Sequence, residues 1–218
     1  TYDSTEEYTF HTQRARGQTF SFGVQGDSHP ERINSQGFEL YDITLAQAKA
    51  DGIDFYITSG DDFSIDGPGG GITTQSGVNG CYTLQRSHLG VIGNSAPVFL
   101  VNGNHEQAAL YLYNDEYNYP KASDLNPAVW AQNARNLYFS QPAPNDAATG
   151  TFYSGNTDEL EYIDGGKLRN YYAWEWGDAL FVVIDPFWSS AIPVNNVYGV
   201  SEKSTDRWGK TLGDTQYE

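Results

Sequence analysis

"VNGNHEQ", residues 101–107, places an amide, an imidazole and a carboxylate side by side directly after the apolar run "APVFLV" at 96–101. An apolar run that ends at a glycine is typical of a buried strand passing into a loop. Asn104, His105 and Glu106 therefore follow a predicted strand. In α/β proteins the carboxyl ends of strands are where ligands bind, so this stretch is a candidate site.

Two earlier stretches repeat the pattern. "TFSFGVQGD" at 19–27 and "IDFYITSGDD" at 53–62 each run from strand-like residues into a glycine followed by Asp. Helical spacing at 36–50, and a second predicted helix at 81–92, separate the three strands. Strands and helices in this alternation form a parallel or mixed sheet whose post-strand loops gather along one edge. The sequence predicts an α/β fold in which the three loops converge.

A hairpin is predicted later in the chain. "RNYYAWEWGDALFVVID" at 169–185 reads as two strands joined by a turn at Trp176-Gly177-Asp178. We expect the turn to be exposed, with Phe181 and Val183 buried in the same core as the first three strands.

The length of 218 residues allows one substantial domain, and residues 1–218 are interpreted as such. The stretch 107–168 is rich in Tyr, Asn and Pro and has little periodicity. It is expected to be a surface excursion within that domain, with short helices such as one around 128–136. No apolar run approaches the ~18 residues that span a bilayer, so no membrane span is expected.

The charge balance restricts the partners. Acidic residues number 28 against 12 basic ones, giving a formal net charge of −16. Binding to a nucleic-acid backbone is not expected, because phosphate contacts need clustered Lys and Arg. An anionic substrate would need a positive charge that the chain does not encode, and a bound metal ion is the usual source.

Three short motifs stand at the three predicted strand ends: "GDSH" at 26–29, "GDD" at 60–62 and "GNHE" at 103–106. Taken alone, an Asp after a strand-ending glycine is usually a turn or helix-cap residue. Three such motifs in order indicate more, because each glycine allows a sharp turn and each following side chain offers a metal ligand.

In this order the motifs resemble the calcineurin-like metallophosphoesterase superfamily, whose pattern is D-x-H, G-D, G-N-H-[DE], a lone His and then G-H-x-H. No His follows His105 here, so the last two motifs are missing. The resemblance implies a mixed β-sheet sandwich flanked by helices. We expect the chain to be a C-terminally truncated form of that domain.

The resemblance also implies a dinuclear metal site. Asp27 and His29 would bind one ion, Asp61 would bridge both ions, and Asn104 would bind the second. Mixed carboxylate, amide and imidazole ligands favour Mn, Fe or Zn over Ca. A full-length protein is expected to hold two such ions and this chain about one, because the second ion has only two of these ligands.

His105 is implied as the catalytic residue that contacts the phosphoryl group and assists the leaving oxygen. For Glu106 two interpretations stay open: it orients the histidine, or it interacts with the first turn of a following helix. His29 and Ser64 stand where purple acid phosphatases have Gly and a metal-binding Tyr, which argues against an iron–tyrosinate centre.

The function implied is hydrolysis of a phosphomonoester or phosphodiester by a metal-bound hydroxide, with a phosphorylated small molecule or protein as substrate. The alternative is a non-catalytic fragment or binding module that keeps the fold but has an incomplete site. The abundance of Tyr, Trp, Asn and Gly with few Lys favours a secreted or periplasmic location.

Other polar residues carry simpler expectations. Asp62 and Asp66 are interpreted as solvated loop acids, beside a mobile glycine-rich rim at 67–72. Asp185 is interpreted most simply as a turn residue. Two further histidines match no motif and are expected to be structural or exposed: His11 and His88.

Overall fold

A computed structural model describes residues 7–33, 36–65, 72, 74–106, 127–140, 152–154, 169–186 and 216. Its helices and strands, in chain order, are β1 (Phe22–Gln25), a 3₁₀ turn (Pro30–Arg32), α1 (Gly37–Ala50), β2 (Phe55–Thr58), α2 (Gln75–Gly93), β3 (Val98–Leu100), α3 (Pro127–Tyr138), β4 (Phe152–Ser154), β5 (Tyr172–Trp176) and β6 (Ala179–Val183). The fold is mixed α/β, with one parallel and one antiparallel sheet.

The three predicted strands are adjacent in one parallel sheet, and their order is β1-β2-β3. Phe22 pairs with Phe55, and Tyr56 pairs with Val98, so all three strands run in the same direction. Parallel strands bring the loops that follow them to one edge of the sheet. Residues 26–29, 59–65 and 101–106 therefore leave the sheet on the same side.

Adjacent residues of β2 point to opposite faces of this sheet. Tyr56 packs with Leu45 of α1 and Leu89 of α2 in one buried cluster. Phe55 packs instead with Trp174 and the other inward residues of β5 and β6. The helices α1 and α2 thus cover one face of the parallel sheet, and the antiparallel sheet covers the other.

The helix α2 begins at Gln75, six residues before the predicted start at 81. The Thr74 side chain accepts a hydrogen bond from the backbone N–H of Gly77 at 3.1 Å, which is an N-cap. Gly77 and Gly80 lower helix propensity and concealed the first turns from the sequence pattern. The N-cap and the burial of Val78 outweigh that cost.

The antiparallel sheet has the order β4-β5-β6, and β5 and β6 form the predicted hairpin. Its inward face is aromatic: the Trp174 ring stacks on Phe99 of β3 with ring centroids 3.9 Å apart. Val183 is buried as predicted, whereas Phe181 is half-buried. Four of the five buried residues in the cluster between the two sheets are aromatic: Phe55, Tyr172, Trp174 and Trp176.

The prediction of an exposed hairpin turn is wrong for two of its three residues, because Trp176 and Gly177 are buried and Asp178 alone is exposed. The N-terminal segment covers the turn. The N–H of Gly177 donates to the carbonyl oxygen of Arg14 at 3.1 Å, and the N–H of Gly17 donates to Asp178 Oδ2 at 2.8 Å.

The helix α3 extends the predicted helix at 128–136 by one or two residues at each end. It belongs to the packed core, with Val129 and Ala134 buried against Tyr82 of α2. This corrects the surface expectation for the helix. The other residues of 107–168, apart from 139–140 and 152–154, lie outside the described residues, so for them the surface excursion stays a prediction.

Asp185 is not a simple turn residue, because it is buried and accepts hydrogen bonds. Its Oδ2 atom accepts from Asn102 Nδ2 at 3.1 Å and from Asn170 Nδ2 at 2.7 Å. Arg135 of α3 donates to the side chain of Asn102, and its Nη2 donates to the carbonyl oxygen of Leu100 at 2.7 Å. This buried network joins α3 and the segment after β6 to the end of β3.

Within the ranges given above, no helix combines the length and the apolar character that crossing a bilayer requires.

Candidate metal centre

The loops after β1 and β2 both turn sharply at an acidic residue. Asp27 has φ 53°, His29 φ 34° and Asp61 φ 54°, all in the left-handed region that non-glycine residues rarely adopt. The N–H of Asp27 donates to the carbonyl oxygen of Gly60 at 2.8 Å. Backbone strain of this kind costs ~1–3 kcal/mol per residue and persists where the surroundings enforce it, commonly at functional sites.

Glycines allow the three loops to approach one another. A β-carbon on Gly103 would lie 2.1 Å from Asp61 Oδ1, and one on Gly60 would lie 2.3 Å from the Gly103 nitrogen. A β-carbon on Gly26 would lie 2.0 Å from Ser59 Oγ. At Gly60 and Gly103 a β-carbon would meet backbone atoms 2.3 and 2.4 Å away, so close packing requires glycine there, whereas at Gly26 the Ser59 hydroxyl could rotate away.

Three of the predicted residues come together at this edge of the sheet. Ligand atoms of His29, Asp61 and His105 all lie within 4.8 Å of one another. The two imidazole rings meet edge to face, with centroids 4.9 Å apart. Asp61 Oδ1 also accepts a hydrogen bond from the backbone N–H of His105 at 2.9 Å, which ties the second loop to the third.

Asp27 extends this group toward solvent. Its Oδ1 atom is 3.4 Å from His29 Nε2, and its side chain is 82% exposed. Two ligands bound ~2.1 Å from one tetrahedral ion are about 3.4 Å apart, so this spacing fits a shared cation. Asn104 is half-buried in the third loop between Gly103 and His105, and its role as a ligand stays a prediction.

The donor set fits a first-row transition metal ion. Imidazole nitrogen with carboxylate oxygen suits Mn, Fe and Zn, whereas Ca takes oxygen ligands only. Among the His, Cys, Asp and Glu residues of the described ranges, His29, Asp61 and His105 have ligand atoms close enough together to hold an ion, and Asp27 lies at the exposed side of this group.

Glu106 is buried and holds two loops together. Its carboxylate accepts hydrogen bonds from the backbone N–H groups of Asp61 at 2.9 Å, Asp62 at 2.7 Å and Gly103 at 2.8 Å. Burial raises the pKa of Glu106, and the backbone N–H groups of Asp61 and Asp62 oppose that shift. Neither interpretation of Glu106 from the sequence included these bonds, because they depend on how two loops distant in sequence meet.

The expectation that Asp62 is solvated is wrong. Asp62 is buried, and its Oδ1 atom accepts a hydrogen bond from Ser28 Oγ at 3.1 Å. Burial, followed by the charge of Glu106, raises the pKa of Asp62 well above its ordinary value of 3.8. Asp66, by contrast, lies outside the described residues, as do residues 67–71 of the predicted rim.

Sequence reasoning missed two residues of the 3₁₀ turn that follows His29. Glu31 Oε1 lies 3.1 Å from His29 Nδ1, and Arg32 Nη2 lies 3.1 Å from His105 Nδ1. The letters "PER" directly after "DSH" were the available signal, since Pro favours the first position of a helical turn. This turn directs the side chains of Glu31 and Arg32 toward the site, where Glu31 contacts His29 and Arg32 contacts His105.

The remaining histidines lie away from this group in structural or exposed positions. His11 is exposed. His88 Nδ1 is 2.6 Å from Asp42 Oδ1, and the His88 ring stacks on Phe38, so this pair joins α2 to α1.

No protein-family model and no curated protein sequence matches the chain. Among solved structures it is similar to a purple acid phosphatase isolated from yellow lupin (Lupinus luteus) seeds, with 16% sequence identity and a TM-score of 0.48. The match covers 82% of this chain and 26% of that one, so the chain spans about a quarter of the length of that protein.

Proposed function

We propose that the chain is a metal-dependent phosphoesterase that hydrolyses a phosphomonoester or phosphodiester. One observation carries the proposal: the ligand atoms of His29, Asp61 and His105 lie within 4.8 Å of one another, on the loops that follow three adjacent parallel strands. Phosphoester hydrolysis is the chemistry that the order of the three motifs implies. We further propose that the two packed sheets correspond to the metallophosphoesterase sandwich.

In this proposal Asp27, His29 and Asp61 hold one ion, and Asp61 and Asn104 contribute to a second. A bound transition metal ion neutralises charge on the phosphoryl group and lowers the pKa of a bound water. On a count of ligands, one Mn, Fe or Zn ion is expected to bind this chain tightly. A longer protein that supplied further histidines would hold two.

His105 is proposed to assist the leaving oxygen by donating a hydrogen bond to it. The Arg32 guanidinium can only donate hydrogen bonds, and its Nη2 atom is closer to His105 Nδ1, at 3.1 Å, than to Nε2, at 3.5 Å, so Nδ1 is the better acceptor. The neutral imidazole then carries its proton on Nε2 and can donate a hydrogen bond from there, whereas full proton transfer would require the doubly protonated ring. Glu106 supports the arrangement by fixing the loop backbones that carry Asp61 and His105.

Phosphorylated small molecules and proteins are the proposed substrates. A site built from Asp27, Glu31 and Asp61 in a chain of net charge −16 repels a phosphate unless a cation is bound. Metal binding and substrate binding should therefore be coupled.

The test uses the 218-residue chain after removal of metal with a chelator. Mn, Zn and Fe are supplied in turn, the bound ion is counted by elemental analysis, and affinity is measured by calorimetry. Hydrolysis of an aryl phosphomonoester and a bis-aryl phosphodiester is then assayed. We expect about one tightly bound ion and slow turnover.

Asp61→Asn is the decisive variant, and the exposed Asp51→Asn is its control with the same loss of charge. An amide is a weaker ligand than a carboxylate, so affinity should fall at least ~10-fold in Asp61→Asn only. Equal affinity in both variants would refute the metal site. Ion binding without hydrolysis of either ester would favour the binding module.

A further inference from the structure

The carboxylate of Glu31 lies between His29 and the loop after β2. Its Oε1 atom is 3.1 Å from His29 Nδ1 and accepts a hydrogen bond from the Ser64 N–H at 2.8 Å. Its Oε2 atom is buried and has no hydrogen-bond partner within the part of the chain that the structure describes. Glu31 is thus directed inward, toward the histidine, rather than into solvent.

The position of Glu31 determines which nitrogen of His29 carries the proton. An ionised carboxylate can only accept hydrogen bonds, so at this distance Nδ1 must be the donor. Ser64 Oγ is also 3.1 Å from Nδ1. It can accept a hydrogen bond from the same N–H, because its hydroxyl hydrogen can rotate away from the ring. In neutral His29 the lone pair therefore lies on Nε2.

The Nε2 atom faces the opposite side of the ring, where Asp27 Oδ1 is 3.4 Å away. A nitrogen lone pair and a carboxylate repel one another unless a positive charge lies between them. Either a second proton on His29 or a metal ion satisfies both groups. With Glu31 holding the Nδ1 proton, a cation at Nε2 needs no change in the ring orientation.

We propose that Glu31 is a positioning residue that holds His29 with its proton on Nδ1 and its Nε2 lone pair directed at the metal ion. The inference rests on the metal site of the proposed function. A carboxylate behind a metal-binding histidine fixes the ring and increases the basicity of the ligating nitrogen. Losing such a partner commonly weakens metal affinity by about 10–100-fold.

A simpler role for Glu31 is to hold the loop after β2 through the Ser64 N–H. Glu31→Gln separates the two roles, because the Gln carbonyl oxygen can still accept from Ser64 while the negative charge is lost. Under the simpler role the variant should keep its metal affinity.

The experiment compares the parent chain with Glu31→Gln and with Glu39→Gln, a control at an exposed position of α1. Mn²⁺ and Zn²⁺ affinities are measured by calorimetry on the chelator-stripped proteins. Long-range ¹H–¹⁵N NMR spectra of the metal-free proteins report which ring nitrogen of His29 is protonated. With four histidines in the chain, assignment by single replacement is practical.

We expect Glu31→Gln to lose about 10–100-fold in affinity for both ions because the negative charge behind His29 is lost, whereas Glu39→Gln matches the parent. The Gln oxygen can still accept from Nδ1, so the change to the Nε2–H form of His29 is expected in Glu31→Asp, whose shorter carboxylate withdraws from Nδ1 and should also weaken metal binding. Unchanged affinity in Glu31→Gln, or unchanged affinity and ring form in Glu31→Asp, would overturn the inference. A parent chain that binds neither ion refutes the proposed metal site itself.

Discussion

Arg32 Nη2 lies 3.1 Å from Nδ1 of His105, so a guanidinium from the turn after β1 reaches the imidazole in the loop after β3. These residues are 73 positions apart in the chain. In a protein of net charge −16 this contact places a positive side chain at the edge of the candidate metal centre. A guanidinium in that position is suited to a phosphate oxygen.

Arg32→Ala should therefore weaken the binding of inorganic phosphate to the Mn-loaded protein. A hydrogen bond to a charged group contributes about 1.5–3 kcal/mol, which corresponds to a loss of about 10–100-fold. Calorimetric titration with phosphate measures the effect. Arg86→Ala, on the exposed face of α2, loses the same charge away from the site and should bind phosphate like the parent. An equal loss in both variants would mean that only net charge matters.

Gly103→Ala should disrupt the metal centre and lower the free energy of unfolding. The added β-carbon would lie 2.1 Å from Asp61 Oδ1 and 2.4 Å from the Asp61 nitrogen, so one loop must move. Overpacking of this kind costs about 1–3 kcal/mol. Gly80→Ala is the control, because within the described ranges nothing outside the helix's own backbone lies within 4 Å of its β-carbon, and Ala favours the helix. Urea denaturation should show opposite signs for the two variants.

The metal-free Asp62→Asn variant should become more stable relative to the parent protein as the pH rises. Burial raises the pKa of Asp62 in the folded state, so the folded protein binds this proton more tightly than the unfolded chain does. That contribution to stability is complete below the unfolded pKa and is lost as the pH rises through the folded pKa. Melting temperatures at pH 4, 6 and 8 test this.

The difference between Asp62→Asn and the parent should be smallest at pH 4 and should grow in favour of the variant toward pH 8. Asp51→Asn, at an exposed site, should follow the parent throughout. A constant difference across the three pH values would show that Asp62 keeps its charge in the folded protein.

Val183→Asp should unfold the protein. Val183 is buried among the aromatic residues between the two sheets, where an unpaired carboxylate costs several kcal/mol. Val182→Asp is the matched control, because Val182 lies on the other face of β6 and is 63% exposed. Circular dichroism melting should separate the two, and equal melting temperatures would mean that β6 is peripheral to the core.

The parallel arrangement of the first three strands could be predicted from sequence because helical segments alternate with the strands, and each strand ends in its own signal, a glycine followed by a polar residue. That local pattern was enough to predict that the loops carrying His29, Asp61 and His105 meet at one edge of the sheet. The helix α1 was predictable for the same reason, since its apolar spacing and the glycine after it are both local.

Burial of polar residues was not predictable, because it depends on segments distant in sequence. Asp62 follows a strand-ending glycine just as a solvated loop acid would, yet Ser28 and Glu106 enclose it. Asp185 precedes a proline and so resembles a turn residue, although Asn102 and Asn170 satisfy it from two other segments. No periodic pattern in the sequence predicts these hydrogen bonds between residues that are distant in the chain.

The same reason explains the hairpin turn. "WGD" is an ordinary turn sequence, and its burial comes from the N-terminal segment, in which the described residues before β1, 7–21, form no helix or strand. Arg14 and Phe20 cover Gly177 from that segment.

The bonds of Glu106 also affect how the site opens. A single carboxylate accepts the amide protons of Asp61, Asp62 and Gly103, so none of these amides can exchange with solvent unless that carboxylate releases it. We therefore expect the loops after β2 and β3 to open as one cooperative unit in hydrogen exchange, with a shared opening free energy. On this expectation Asp61 and His105 move together, and the spacing between them is kept when the site fluctuates.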